Sequence, residues 1–307
     1  MITVSLMGGL GNQMFQYAAG KALAERHGVP LVLDLSGFRA SDPRNTPRPF
    51  LLDRLAVPEA VASAQCHGVE RPKENFSRAR WKTRFDRLLG KAGLPKLATS
   101  RSEYREPHFH YDPAFEALGS QMALFGYFQS ERYFSSIAGR LRDWLAVREP
   151  LSGAAADMLR QIEASRLPVS IHIRRGDYLK SGTHEVHGIL GEPYYRQGLE
   201  RLESVTGRDA ELLIFSDDAE AAEQVLNFVP KERLTHVRGD PERPWEDMAL
   251  MTRCKHHVIA NSSFSWWGAW LNSSSEKIVI APRAWFAPVE LKKTNTADLY
   301  PPGWVLV

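Results

Sequence analysis

The stretch Pro168-Val169-Ser170-Ile171-His172-Ile173-Arg174-Arg175-Gly176-Asp177-Tyr178 decides the reading of this chain. Six mostly apolar residues run straight into two adjacent arginines. Such a run fits a strand covered on both faces. Arginine is rarely buried without a partner, so two at the exit of this strand call for an anion. In extended chain, neighbouring side chains point to opposite sides. One guanidinium can then face a ligand while the other pairs with Asp177 or a backbone carbonyl. A guanidinium also clamps phosphate with a planar fork that lysine lacks.

Working outward, helices and short apolar strands alternate. Helix 153–164 precedes strand 168–173, helix 192–206 precedes strand 211–215, and helix 218–228 precedes a weak strand at 234–237. Helix 245–253 precedes strand 256–260, and helix 263–271 precedes strand 277–281. The pattern predicts an α/β fold with a parallel, helix-covered sheet. Polar clusters stand just after the strands: Arg174-Arg175, Ser216-Asp217-Asp218, Asn261-Ser262-Ser263 and Arg283. In open α/β sheets the ligand lies outside the carboxyl ends of the strands, so four such clusters predict a nucleotide-sized site. Asn261, Ser262 and Ser263 open a helix and offer a phosphate cradle. Asp217 and Asp218 suit ribose hydroxyls or the N1–H and amino donors of guanine, and Asp218 also suits a helix N-cap. No third carboxylate or histidine is spaced to complete an octahedral metal site. The expectation is a site without metal or other cofactor.

The chain opens with strand Ile2 to Met7, a glycine-rich turn Gly8-Gly9-Leu10-Gly11-Asn12, a helix from Gln13 to His27 and a strand Leu31 to Leu35. This is a βαβ unit without the dinucleotide spacing of glycines. Asn12 and Gln13 at the helix mouth can both bond a ligand. Phe76 to Ala92 reads as an amphipathic helix, with Trp81, Phe85, Leu88 and Leu89 in a stripe among Arg78, Arg80, Lys82, Arg84 and Arg87. His108 and His110 alternate as on a strand and lack a third metal ligand, so they read as structural. A strand 122–128 and a helix 133–145 follow, and Arg148-Glu149-Pro150 marks a domain boundary. The aromatic run Phe264 to Trp270 reads as core, with one tryptophan able to face a sugar.

At 307 residues two domains are the natural division. A hydrophobic content of 43% is ordinary for a globular chain. Net charge is +3, but Arg71 to Arg105 alone carries 11 basic against three acidic residues. No nucleic-acid partner is expected. The basic stretch reads as a solvated helix, or as a surface for an anionic membrane or acceptor. Cys66 and Cys254 lie too far apart in sequence for a disulfide framework or a cysteine-rich zinc site. Met1 to Met7 is too short for a secretory leader. Together these predict a cytoplasmic protein, peripheral on the inner face of the membrane if the basic stretch engages lipid.

Several blocks resemble the α-1,2-fucosyltransferases of glycosyltransferase family 11: GGLGNQMFQYA at 8–18, HIRRGDY at 172–178, FSDD at 215–218 and NSSFSWWGAWLN at 261–272. GYFQSERYF at 126–134, PRAWF at 282–286 and DLYPPGW at 298–304 are similar to that family's pattern as well. The arginine block is shared with α-1,6- and protein O-fucosyltransferases. Ala-Glu-Ala-Ala follows FSDD where the pattern leads one to expect a tryptophan, and Ser36 to Arg105 matches no named pattern.

The resemblance implies a GT-B architecture, two Rossmann-like domains facing across a cleft. Residues 1–150 would take the acceptor, 151–285 would hold GDP-fucose, and 286–307 would return to the N-terminal domain. Gly9, Gly11, Asn12, Gln13, His172, Arg174, Arg175, Ser216, Asp217, Asp218, Asn261, Ser262 and Ser263 would form the donor site. Arg174 would hold the β-phosphate, His172 and Asp217 or Asp218 would lie near guanine, and Asn12 would reach the phosphate or the acceptor hydroxyl. The implied reaction inverts the β-linkage of GDP-L-fucose and forms Fuc-α-1,2-Gal on a galactose-terminated glycan, a lipid-linked one included. Asp177, Glu185 and His187 stand as candidates for a general base. The alternatives are another linkage, another GDP-sugar, or a non-catalytic glycan- or nucleotide-binding protein.

Overall fold

The computed structural model describes residues 1–38, 48–60, 102–175, 188–207 and 210–307. The first part of the chain contains β1 (Ile2–Ser5), α1 (Leu10–His27), β2 (Leu31–Asp34), β3 (Ser102–Arg105), β4 (Met122–Phe125) and α2 (Ala138–Trp144). Next come α3 (Gly153–Ala164), β5 (Pro168–Ile173), α4 (Glu192–Thr206), β6 (Glu211–Ser216), α5 (Ala219–Val225) and β7 (Leu234–His236). The chain closes with α6 (Pro244–Arg253), β8 (His256–Val258), α7 (Ser263–Leu271), β9 (Val279–Ala281), α8 (Pro288–Leu291) and β10 (Val305–Leu306). Among these elements no helix is long and apolar enough to cross a membrane.

Two parallel sheets result, in the orders β2-β1-β4-β3 and β10-β9-β8-β5-β6-β7. Ile2 pairs with Leu31 on one side and with Met122 on the other. β5 sits inside the second sheet between β6 and β8, and all six of its residues are buried. That is why its sequence is a continuous run rather than an alternation.

Packing does not stop at residue 150. The core around β1, β2, β4 and α1 also takes in Trp266, Trp267, Trp270 and Trp285. α7 thus belongs to the second part by sequence and to the first sheet's core by burial. The contact is unusually close: a Cβ on Gly11 would meet the backbone carbon of Ser263 at 2.6 Å and the backbone nitrogen of Phe264 at 2.7 Å. Phe15 packs on Trp266 and Trp267 at centroid distances of 4.5 and 4.8 Å. The carboxyl ends of both sheets therefore meet where α1 and α7 cross, the GT-B arrangement.

Several local expectations need correction. α1 begins at Leu10, so Gly11, Asn12 and Gln13 form its first turn, with the N–H groups of Asn12 and Gln13 both donating to Gly9 O. β4 ends at Phe125, because Phe128 turns to φ +53°, which no strand continues. The helix expected over 133–145 is short 3₁₀ turns followed by α2. The edge strand is β3, before His108, and the rings of His108 and His110 stack 3.5 Å apart at 2°. The tail does not simply return to the first part. Val305 and Leu306 pair with Ile280 and Ala281, covering an edge of β9 that would otherwise expose unpaired backbone groups. Asp298, a few residues earlier, reaches back to Arg132 at 3.0 Å.

Candidate active site

β5 delivers Arg174 to the carboxyl edge of the second sheet. There one terminal nitrogen of Arg174 lies 2.9 Å from Asp217 Oδ2. The backbone N–H of Arg175 donates to Asp217 Oδ1 at 2.8 Å, and the Arg175 side chain donates to Leu190 O at 2.9 Å. Asp217 is thus a brace for Arg174, and Arg175 is turned onto the backbone. Ser216 and Asp218 bond each other, and Asp218 caps α5 by accepting from Ala221 N at 3.0 Å. The carboxylates of the turn after β6 thus serve an arginine and a helix end, Asp218 as the N-cap that the sequence suggested.

His172 is buried at 5% exposure with its carbonyl accepting from Tyr195 Oη at 2.9 Å. Burial first, then the Arg174 charge, hold its imidazole neutral, well below the usual histidine range. Its Nδ1 is buried and meets no partner among the described residues.

On the facing side, Asn12 Oδ1 accepts from Gln129 Nε2 at 2.9 Å and from Ser263 Oγ at 2.8 Å. The loop after β4, the head of α1 and the head of α7 thereby converge on one amide oxygen. With that oxygen occupied twice, the amide presents its NH₂ end to other groups. Ser262 caps α7, accepting from Phe264 N at 3.3 Å. Unsatisfied N–H groups at a helix start are suited to an anion.

Other expected ligands have structural posts. Gln13 is fully buried and donates to Gly8 O and Pro49 O while accepting from Leu51 N. Asn261 donates to Trp285 O at 3.2 Å. Gly11 lies against the head of α7, and Gly9 is the open N-cap of α1. Arg283 fastens the tail, donating to Leu306 O at 3.1 Å. The α7 tryptophans donate to Leu299 O, Gly11 O and Glu131, and all are buried, so none is a sugar platform. Asp177, Glu185, His187, Cys66 and the basic stretch around Trp81 lie outside the described residues. Among the described residues no three His, Cys, Asp or Glu side chains gather as a metal site.

The model of glycosyltransferase family 11 matches residues 98–307, a span that includes Arg174, Gln129 and the whole of α7. The chain belongs to glycosyltransferase family 11. Over its full length this family 11 chain is 32% identical to the alpha-1,2-colitosyltransferase of Escherichia coli, covering 99% of that protein. It is 26% identical to the galactoside alpha-(1,2)-fucosyltransferase 1 of Lagothrix lagotricha over 58% of this chain, spanning about half of that relative (52%). The fucosyltransferase NodZ from Bradyrhizobium superposes on 87% of this chain and 91% of its own, at 13% identity and a TM-score of 0.45.

Three polar residues near strand ends carry no signal of their own in the sequence. Gln129 lies inside the GYFQSERYF block, but nothing in the sequence says that it meets Asn12. Asp247 on α6 looks like one acid on an amphipathic helix. The fold instead buries much of it beside Gly239, past the end of β7, and burial with Glu246 and Asp240 pushes its carboxyl up to about 7. Glu106, one residue past β3, is likewise pushed up to about 7, chiefly by burial.

A buried polar chain beneath the site gives a stability prediction. Asn272 Nδ2 donates to His257 Nε2 at 2.9 Å, which leaves Nδ1 to donate to Ser170 Oγ at 2.8 Å. Burial first, then Lys277 and His256, push His257 down to about 3. Below about pH 6.5 the unfolded chain binds a proton here that the folded chain refuses. Stability should therefore fall as pH drops from 6.5 towards 3, by about 1.4 kcal/mol per unit from this group. Denaturant titrations across that range should show the slope reduced by that amount in His257→Leu, whatever that variant's absolute stability.

Proposed function

We propose that the protein transfers L-fucose from GDP-β-L-fucose to the 2-hydroxyl of a terminal galactose, with inversion, forming an α-1,2 linkage. The observation that carries the reading is the parallel pairing of β5 with β8, which brings Arg174 and the head of α7, where Ser263 bonds Asn12, to the same edge of the sheet. A guanidinium braced by Asp217 ends one strand, and a helix start bonded to the Asn12 amide follows its neighbour. Groups of this kind stabilise charge that grows on a departing diphosphate, commonly the largest catalytic contribution. In this reading Ser262 and Ser263 hold the phosphates, and Asp247, past the end of β7 beside Gly239, accepts from the donor edge of the purine. The galactoside acceptor is supported by the galactoside alpha-(1,2)-fucosyltransferase 1, and the α-1,2 linkage by both relatives, one a colitosyltransferase. That relative motivates a second reading of the donor, GDP-colitose, the 3-deoxy counterpart of GDP-fucose. GDP release from each donor, with and without lactose, and NMR of the product's linkage test the reading. Release from neither donor with any galactoside would sink it.

Transfer should need no divalent metal. Asp217 is committed to the two arginines and Asp218 to the start of α5, so neither carboxylate is disposed as a ligand. Rates in EDTA and in excess magnesium or manganese should agree within about twofold, a barrier difference under about 0.5 kcal/mol. Complete loss in EDTA, restored by one metal, would overturn this.

The acceptor is proposed to be a surface glycan met at a membrane, because Arg71 to Arg105 is so basic. Each basic residue near an anionic bilayer contributes roughly 1 kcal/mol. The protein should pellet with anionic but not neutral vesicles at low salt. Charge reversal at Arg80, Arg84 and Arg87 should abolish this while leaving transfer to lactose unchanged.

A further inference from the structure

An inverting transfer needs its nucleophile on the face of the donor sugar opposite the departing diphosphate. Arg174 and the head of α7 define the diphosphate side. The proton acceptor therefore belongs on the wall built by the first sheet, and a carboxylate stands there. Glu106 follows β3 at the same edge from which the loops after β1 and β4 carry Asn12 and Gln129. Its Oε2 accepts from Tyr127 N at 2.7 Å and from Phe128 N at 3.0 Å. Phe128, one residue before Gln129, is held at φ +53°. A bulky residue in that conformation costs about 1–3 kcal/mol and persists where its surroundings over-determine it. Three residues beyond Glu106, the ring of Phe109 packs edge-on against Phe286, 5.0 Å between centroids. The loop that carries Glu106 therefore borders the second part of the chain. Tyr127, whose backbone Glu106 grips, exposes 43% of its surface beside the carboxylate. An exposed aromatic ring next to a fixed carboxylate is the usual furniture of a sugar subsite.

We propose, resting on the transfer reading above, that Glu106 takes the proton from the attacking hydroxyl of the acceptor galactoside. As the acceptor oxygen bonds to the anomeric carbon, its O–H pair stays on oxygen and the proton passes to a Glu106 carboxylate oxygen. The bond from the anomeric carbon to the diphosphate breaks with its electron pair going to GDP. The neutral Glu106 acid then returns the proton to water. Phe128 N is shared between the two oxygens, at 3.1 Å for Oε1, so with Tyr127 N and the Tyr133 side chain three donors meet a carboxylate that has about four lone-pair sites. The backbone donors orient the carboxylate while burial keeps it basic near neutrality. The titratable groups around it are His108 on its own loop and Tyr127 and Tyr133 from the facing segment.

The test uses the full chain with GDP-fucose and a panel of galactosides, reading GDP release on whichever acceptor the wild type uses. Wild-type kcat should rise with pH through an apparent pKa near 7, the ionisation that frees the base. Glu106→Gln should lose about 100-fold or more in kcat and lose that acid limb. GDP affinity by calorimetry should stay within about threefold. Glu106→Ala should recover part of its rate in added formate, a small carboxylate that can take the proton but cannot rebuild the loop's hydrogen bonds. Glu106→Gln with wild-type turnover and an intact acid limb overturns the assignment. So does loss of GDP affinity in step with kcat and no formate rescue, which would make Glu106 a brace for the Tyr127–Phe128 turn. A failure of the galactoside reading shows in the wild type, and a failure of the Glu106 assignment shows in the variants.

Discussion

Arg174→Lys should lose at least about 100-fold in kcat and come within about tenfold of Arg174→Ala, the scale set by removing one preorganised donor from a developing oxyanion. Charge alone is not what β5 delivers. Asp217 Oδ2 fixes one terminal nitrogen of Arg174 at 2.9 Å, and Asp217 is itself steadied by the N–H of Arg175 at 2.8 Å. The guanidinium plane is thereby set before any ligand arrives, and a planar fork can hold two phosphate oxygens at once. A lysine ammonium is shorter, carries its donors at one point and would be drawn onto Asp217. If Arg174 acts on the leaving group, kcat should fall by a larger factor than GDP affinity. Steady-state GDP release and calorimetric titration of GDP on the three proteins decide this. A lysine variant with near-normal turnover would show that charge suffices.

Gly11→Ala should cost roughly 3 kcal/mol of stability, at the upper end of overpacking penalties. The obstacles to a methyl there are backbone atoms of Ser263 and Phe264 at 2.6 to 2.7 Å, which cannot step aside as a side-chain tip can. Relief requires α1 and α7 to part. Parting loosens Phe15 from the two tryptophans, lengthens the bond from Trp267 Nε1 to Gly11 O (2.9 Å), and pulls Asn12 from Ser263. The melting temperature should fall by several degrees, and activity by more than stability alone explains, since displacement of about 1 Å at a reacting site can cost 100-fold. Gly9→Ala is the control. Its backbone has ordinary φ of −74° and an added Cβ meets nothing within 4 Å, so stability should stay within about 0.5 kcal/mol. Equal melting temperatures for the two variants would refute the close-crossing account.

Most strands of the two sheets and the positions of the polar clusters were legible in the sequence, β3 and β10 excepted. β5 announces itself because a strand buried on both faces must be apolar throughout, and Arg174 because a charged pair at its end needs an anion. The family blocks were legible for the same physical reasons, recurring where backbone and ligand leave little freedom. What the sequence could not assign was the use of each polar group. Asp217, Arg175, Gln13, Asn261 and Arg283 all look like ligands in one dimension. Folded, each also bonds a backbone group or a neighbouring charge. The tryptophans of α7 likewise serve a helix crossing, because α1 and the tail arrive from both ends of the chain to cover them. Conversely, Gln129, Asp247 and Glu106 carry no local signal. Their roles depend on which strand ends lie side by side and on how deeply a carboxylate is buried. Sequence determined the fold class by its helix–strand alternation and the family by the resemblance of its blocks. Only the tertiary structure decided which neighbour each polar group bonds and which carboxylates are buried, because desolvation and hydrogen-bond partners are set by residues distant in the chain.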